Sequence, residues 1–299
     1  MLLTPRAMRH SLKEHPRILD GGLSTALEER GHILDGLLWT GELLRTAPTE
    51  IAEAHKAYVD AGAQILITSA YQVSFTGCAR LGWSDAETEL ALSLSTELAK
   101  IARGTKDVWV AASVGPYGAS LADGSEYRGN YGVSRAVLRD FHARRLEILI
   151  QSRPELLALE TMPDTEEVEV LLELLTEFNA TIPFWVSYSC ANELRTNAGQ
   201  FFADAALLVA AHPDAVAVGV NCTAPEYITP LLQSAGSELP FVVYPNAGNV
   251  WDAENNVWIG GKGSAFGDAL LNQWGAAGAV IVGGCCGVAP SDIGALALP

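Results

Sequence analysis

The chain has 299 residues, with 19 Lys and Arg against 35 Asp and Glu, a formal net charge of −16. That surplus disfavours a nucleic acid or an anionic membrane as partner, because both are met with clustered Lys and Arg. With 49% hydrophobic and 18% charged residues the chain can bury a large core and is not disordered, and its excess charge suits a solvated outer face.

Residues 1–16 carry scattered Arg, Lys and His without an apolar core segment, so they are expected to form a flexible N-terminal tail and not a secretory signal. Strand signals then recur along the chain at Arg17–Gly22, Gln64–Tyr71, Val108–Gly115, Leu156–Met162, Phe184–Cys190, Ala215–Cys222, Phe241–Asn246 and Ala279–Cys285. Several are continuous apolar runs, as in strands buried on both faces of a parallel sheet. Amphipathic stretches alternate with them. Pro48–Ala61 has Pro at its start and Gly62 just past its end, and Asp85–Ala102 and Glu166–Phe178 follow. Two longer loops, Thr76–Trp83 and Tyr117–Tyr131, follow the second and third strands. Eight strand signals separated by helices, with no linker or composition break, predict a single α/β domain, a (β/α)₈ TIM barrel over 17–299. A doubly wound open sheet is the alternative, because periodicity does not reveal closure. No apolar stretch reaches the about 20 residues that a bilayer requires. Five cysteines are too few for a disulfide scaffold of this size, so free thiols and a cytoplasmic setting are expected.

The strongest chemical signal is Gly283-Gly284-Cys285-Cys286-Gly287 at the end of the eighth strand, paired with Asn221-Cys222 at the end of the sixth. Adjacent cysteines can share one metal if the strand breaks into a turn there, and the flanking glycines allow that turn. Small cysteines packed in a core are the alternative for this group, and are the preferred reading for Cys78 and Cys190. Asp20 and Glu160 close the first and fourth strands. Either they mark a turn and accept backbone N–H groups, or they converge beside the cysteines to hold an ammonium. Trp39, Tyr71, Tyr127 and Tyr131 are aromatic candidates for the same rim. Gly260-Gly261-Lys262-Gly263-Ser264 lacks the order of a phosphate loop, and no glycine fingerprint for a dinucleotide follows the first strand.

Taken together, these residues resemble the homocysteine S-methyltransferase family over about Ile18 to Ile293. The pieces that match are Leu-Asp-Gly-Gly at 19–22, Leu-Trp-Thr at 38–40, Ile-Thr-Ser-Ala-Tyr-Gln at 67–72, Asp-Gly-Ser-Glu-Tyr-Arg-Gly-Asn-Tyr at 123–131, Glu-Thr-Met-Pro at 160–163, Gly-Val-Asn-Cys at 219–222, Tyr-Pro-Asn-Ala-Gly at 244–248 and Gly-Gly-Cys-Cys at 283–286. The resemblance implies a barrel that binds Zn²⁺ through Cys222, Cys285 and Cys286. It also implies homocysteine binding through Asp20 and Glu160, with Gly21 and Thr68 nearby. Asn221, Trp39 and Tyr127 complete the expected substrate contacts. Within the family the chain is most similar to short members that use S-methylmethionine, sometimes S-adenosylmethionine. Unlike the betaine-using branch, it has Thr161 and not Tyr after the fourth-strand Glu, and it stops at Pro299. The expected partners are thus small molecules, homocysteine and a sulfonium donor, with a monomer or weak homo-oligomer as the assembly. A selenol acceptor such as selenohomocysteine, or a thiol-rich metal-binding or redox-sensing protein without turnover, are the competing readings.

Overall fold

A computed structural model describes residues 3–247, 250–252, 257–259 and 267–296. The barrel strands are β1 (Arg17–Ile18), β2 (Ile65–Ile67), β3 (Trp109–Val114), β4 (Leu156–Met162), β5 (Phe184–Tyr188), β6 (Ala215–Asn221), β7 (Phe241–Tyr244) and β8 (Ala279–Val282). All neighbours pair in parallel, from β2 through to β8 and then β1. A parallel bridge between Leu19 and Ile65 closes the ring. Around it, Gln64 N–H donates to Ile18 O at 2.7 Å and Asp20 N–H to Ile65 O at 3.0 Å. That closure makes the sheet a barrel and excludes the open-sheet alternative.

Side-chain alternation along the strands separates two apolar regions. Ile65, Trp109, Leu156, Trp185, Val242 and Ile281 fill the barrel interior. Their strand neighbours Leu66, Val110, Leu157, Val186, Val243 and Val282 face outward into the layer of helices. Burial on both faces is why these strands read as unbroken apolar runs. The helix Pro48–Ala61 ends at Gly62, whose φ of 107° suits a residue without Cβ. Asp85–Arg103 starts with a capping box between Ser84 and Glu87. Thr165–Glu177 is capped by the Asp164 side chain, which accepts from Glu166 N–H.

Two expectations are corrected. The flexible tail is instead a helix over Pro5–Glu14, with Thr4 as its cap and Pro in the first turn. Its Met8 and Leu12, one turn apart, are buried and join the barrel-interior cluster, so the helix plugs the N-terminal mouth. The loop expected at Thr76–Trp83 begins as a helix, Phe75–Arg80, because Ser74 Oγ accepts Gly77 N–H at 3.1 Å. The Tyr117–Tyr131 loop holds two 3₁₀ turns, Tyr117–Leu121 and Ser125–Tyr127. The glycine-rich stretch at 260–264 and the last residue of the matching piece at 244–248 lie outside the described residues. No helix among the described residues is long and apolar enough to cross a membrane.

Candidate active site

A cleft of ≈ 630 Å³, open to solvent, lies at the C-terminal ends of the strands, the end at which barrel active sites are built. Its wall includes Cys222 after β6 and Cys285 and Cys286 after β8. β8 stops at Val282. The chain then turns, with Val288 N–H donating to Cys285 O at 3.1 Å. Gly287 has φ of 80° at the turn position where a positive value is required. Two neighbouring cysteines thereby face one point and do not alternate across a strand. Close backbone approach explains the other glycines here. A Cβ on Gly22 would lie 2.7 Å from Cys285 O, and one on Gly283 would lie 2.6 Å from Asp20 O.

The three sulfurs lie within 4.8 Å of one another, with Cys222 and Cys285 Sγ 2.6 Å apart and Cys285 and Cys286 Sγ 4.0 Å apart. Hydrogen bonds from Cys222 and Cys286 hold Cys285 well below the usual thiol range. The same interaction with Cys285 holds Cys222 above it. Three soft donors on one side, with the fourth side open to the cleft, suit a thiophilic metal that keeps one position for a ligand. Cys78 and Cys190 are buried elsewhere as packing residues.

Carboxylates lie directly beneath. Glu160 lines the cleft and accepts the Ser113 hydroxyl at 2.5 Å. Burial pushes it up to about 8, against the lowering effect of Ser113 and of the Tyr244 hydroxyl, and the Cys285 charge adds to the rise. Asp20 is raised well above the carboxylate range, first by burial, and the charges of Glu160 and Cys285 add to it. No Lys, Arg or His is among the described residues that line the cleft. The site is a buried cluster of acidic groups, most of them held back from ionising, and a cation from outside is what would let them carry charge.

Local backbone strain marks the same end. Thr161 has φ of 57° and Cys222 φ of 46°, and Trp39 at the rim has φ of 51°. Left-handed values are costly for residues with Cβ. At Thr161 the distortion shifts the β4–β5 register between Leu159 and Met162. Asn221 braces it: Thr161 N–H donates to Asn221 Oδ1 at 2.8 Å, and Asn221 Nδ2 donates to Thr161 Oγ1 at 2.7 Å.

Of the substrate contacts expected from sequence, Gly21, Trp39, Thr68, Tyr127 and Glu160 line the cleft. Two are placed differently. Asn221 is fully buried, with its amide engaged by Thr161, and so positions the wall from behind. Asp20 is buried, with Oδ2 accepting Ile67 N–H at 2.9 Å, and the charge of Glu160 acts on it. Among the rim aromatics, Trp39 and Tyr71 pack edge to face with centroids 6.4 Å apart. Tyr131 turns away, donating its hydroxyl to Glu167 at 3.2 Å. Ser113 and Tyr244 were not legible as site residues. Ser113 sits inside β3 and is exposed as a site residue only by its neighbour Glu160, whereas Tyr244 ends β7 and itself lines the cleft.

Comparison with known proteins gives a consistent answer. The homocysteine S-methyltransferase family model matches residues 17–298. Homocysteine S-methyltransferase of Escherichia coli K12 is 41% identical over 297 residues, covering 95% of each chain. Homocysteine S-methyltransferase 2 of Zea mays is 38% identical over 298 residues, covering 93% of this chain and 88% of the relative. The metallated form of the Escherichia coli homocysteine methyltransferase MmuM superposes with a TM-score of 0.83 at 39% identity, covering 94% of this chain and 95% of that one. With a three-cysteine cluster at the mouth of a closed barrel and a match over nearly its whole length, the chain belongs to the homocysteine S-methyltransferase family.

Proposed function

We propose that the chain transfers a methyl group from a sulfonium amino acid, S-methylmethionine in preference to S-adenosylmethionine, to homocysteine, with zinc held by Cys222, Cys285 and Cys286. The supporting observation is the convergence of three cysteine sulfurs and the Glu160 carboxylate in one cleft whose described lining has no basic side chain. A thiophilic cation and an ammonium are the two charges that such a cleft accepts. A metal store or redox sensor has no use for Glu160.

Zinc, when bound, supplies a Lewis acid that lets a coordinated thiol lose its proton near neutral pH. The protein's part is to hold and align. Glu160 accepts N–H bonds from the homocysteine ammonium and is fully ionised once that cation sits beside it. Ser113 and Tyr244 fix the Glu160 carboxylate so that it does not swing toward the sulfurs. The Trp39–Tyr71 pair offers ring faces to a sulfonium, an attraction of about 0.5–2 kcal/mol. The acceptor sulfur's electron pair forms the new S–CH₃ bond while the donor's S–CH₃ bond breaks. That bond's pair stays on the donor sulfur, which leaves as a neutral thioether. The thiol proton goes to solvent; the departing group needs no general acid because it leaves neutral, and the rate comes from alignment.

Zinc content, together with methionine formation from homocysteine and S-methylmethionine, tests the reading. One zinc per chain and turnover are expected. Zinc-loaded protein that forms no methionine from either sulfonium donor would overturn it.

A further inference from the structure

Two turns of the cleft wall meet beyond the ends of their strands. Gly21 and Gly22 follow β1, and Cys285 and Cys286 follow β8; all four line the cleft. Outside the ladder, the course of such backbone rests on whatever holds it. Gly22 N–H donates to Val288 O at 3.0 Å, and Gly284 N–H donates to Asp20 O at 3.0 Å. A further tie comes from outside the barrel. The hydroxyl of Tyr58, on the helix Pro48–Ala61, lies 2.8 Å from Gly22 O and 2.8 Å from Val288 O. A phenol has one proton to donate, so the two carbonyls share it in a three-centre bond that spans both turns.

The sequence leaves a slot for that phenol. A Cβ on Gly21 would lie 2.5 Å from Val288 O, 2.9 Å from Tyr58 Cε1 and 3.0 Å from the Tyr58 hydroxyl oxygen. Glycine at 21 therefore admits the ring between the turns. Tyr58 is fully buried, and its carbonyl accepts Ala63 N–H at 2.9 Å, so the ring stands on the tied-down end of its helix. Phenylalanine would fill the same space. Only the hydroxyl joins the two turns, and that separates a positioning role from packing.

We infer that Tyr58 is a positioning residue for methyl transfer: its hydroxyl, shared between Gly22 O and Val288 O, sets the Cys285–Cys286 turn against the Gly21–Gly22 turn and so fixes where the metal sits relative to the rest of the acceptor site. This rests on the methyl-transfer reading above. A homocysteine held by its sulfur at the cysteines and by its ammonium at Glu160 has a short carbon chain between its two ends. Drift of the cysteine turn along the first-strand turn stretches or slackens that span, and both the metal ligands and the acceptor lose their fit.

The test is Tyr58→Phe, which keeps the ring and removes the hydroxyl. Zinc affinity, read on metal-free protein by competition with a chromophoric chelator, should fall about two- to tenfold, the size of one buried hydrogen bond. At saturating zinc the KM for homocysteine should rise by a similar factor, while the KM for S-methylmethionine stays unchanged, because the Trp39–Tyr71 pair lies on other segments. Lower stability with either zinc affinity or homocysteine KM unmoved would make Tyr58 a packing residue and overturn the inference. Should Tyr58→Phe not fold, the wild type decides by nuclear magnetic resonance with an isotope label at tyrosine Cζ. The Tyr58 resonance, assigned through Tyr→Phe variants of the other tyrosines, should shift on zinc loading; a resonance blind to zinc overturns the assignment. A wild type that neither binds zinc nor forms methionine overturns the methyl-transfer reading and this inference together. An active, zinc-binding wild type whose Tyr58→Phe form is unchanged overturns this inference alone.

Discussion

The two mouths of the barrel are built by opposite rules. At the N-terminal mouth, Met8 and Leu12 of the first helix join Trp109, Leu156 and Trp185 in one buried apolar cluster that acts as a plug. At the C-terminal mouth, Thr161 and Cys222 hold left-handed backbone, and Asp20, Glu160 and the cysteine cluster crowd acidic groups into a buried space that resists their ionisation. The difference teaches that this fold separates its stability from its chemistry. One end is held by packing that needs no ligand. The other carries strain and charge that bound cations relieve.

The largest expected effect lies at the charged mouth. Cys286→Ser removes one of three soft ligands and should abolish most zinc binding and with it nearly all methionine formation. Its melting temperature without metal should stay close to that of the metal-free parent, because the barrel core does not depend on the site. Metal analysis and thermal denaturation check both halves. A metal-free Cys286→Ser protein with full activity would refute the site.

Leu12→Ala probes the other mouth. Removing a fully buried side chain from the plug should cost about 2–5 kcal/mol of stability. The KM for homocysteine should not change, since the plug lies at the far end of the strands from the cleft. Denaturant titration and steady-state kinetics on the same preparation check this. A raised KM with little loss of stability would mean that the two ends are not independent.

The contrast between the mouths also explains what could be read from sequence. Burial on both faces leaves continuous apolar runs such as Ala-Val-Ala-Val-Gly-Val, so all eight strands were legible in place and order. Closure was not, because it rests on the backbone hydrogen bonds around Leu19 and Ile65. The plug helix was missed because two apolar positions, Met8 and Leu12, stand among basic residues. The Thr4-Pro5 start and the one-turn spacing were the available signals. At the cleft, the cysteines were legible from their adjacency and flanking glycines. That the side chains of Asp20 and Asn221 engage backbone depends on where Ile67 N–H and Thr161 N–H point, and spacing along the chain does not encode that.

Glu160→Gln sharpens the comparison by moving function and stability in opposite directions. Loss of the charged contact should weaken homocysteine binding by about 1.5–3 kcal/mol, roughly ten- to a hundredfold, with zinc retained. In the folded protein Glu160 titrates at about 8, raised from 4.5 chiefly by burial. The unfolded chain therefore gives up this proton first as pH rises. The stability linked to Glu160 is complete below about pH 4.5 and is lost as pH climbs through about 8. Metal-free Glu160→Gln escapes that loss and should be more stable than the parent at pH 8 by about 1–3 kcal/mol, below the linkage ceiling of about 5. Calorimetric titration with homocysteine and urea unfolding at pH 5 and pH 8 provide the check. A variant less stable than the parent at pH 8 would mean that Glu160 supports the fold.

The smallest expected change in stability, and the finest division between the two ends, is at Thr161. Its left-handed φ of 57° costs a residue with Cβ about 1–2 kcal/mol, and glycine would remove that cost. Against this, Thr161→Gly loses the hydrogen bond that Oγ1 accepts from Asn221 Nδ2, about 0.5–1.5 kcal/mol. It also frees the unfolded chain, worth about 0.5–1 kcal/mol. The terms nearly cancel, so stability should move by less than about 1 kcal/mol. Function should not cancel in the same way. The β4–β5 register shift that includes Thr161 sets the course of the chain at Glu160, and a glycine there lets the carboxylate wander from the place that Ser113 and Tyr244 define. Homocysteine affinity should fall severalfold while zinc stays bound. Urea unfolding and calorimetry on zinc-loaded protein separate the two effects. A loss of more than about 2 kcal/mol would show that the hydrogen bond outweighs the strain. Unchanged affinity would show that Glu160 is held in place without help from the bulge.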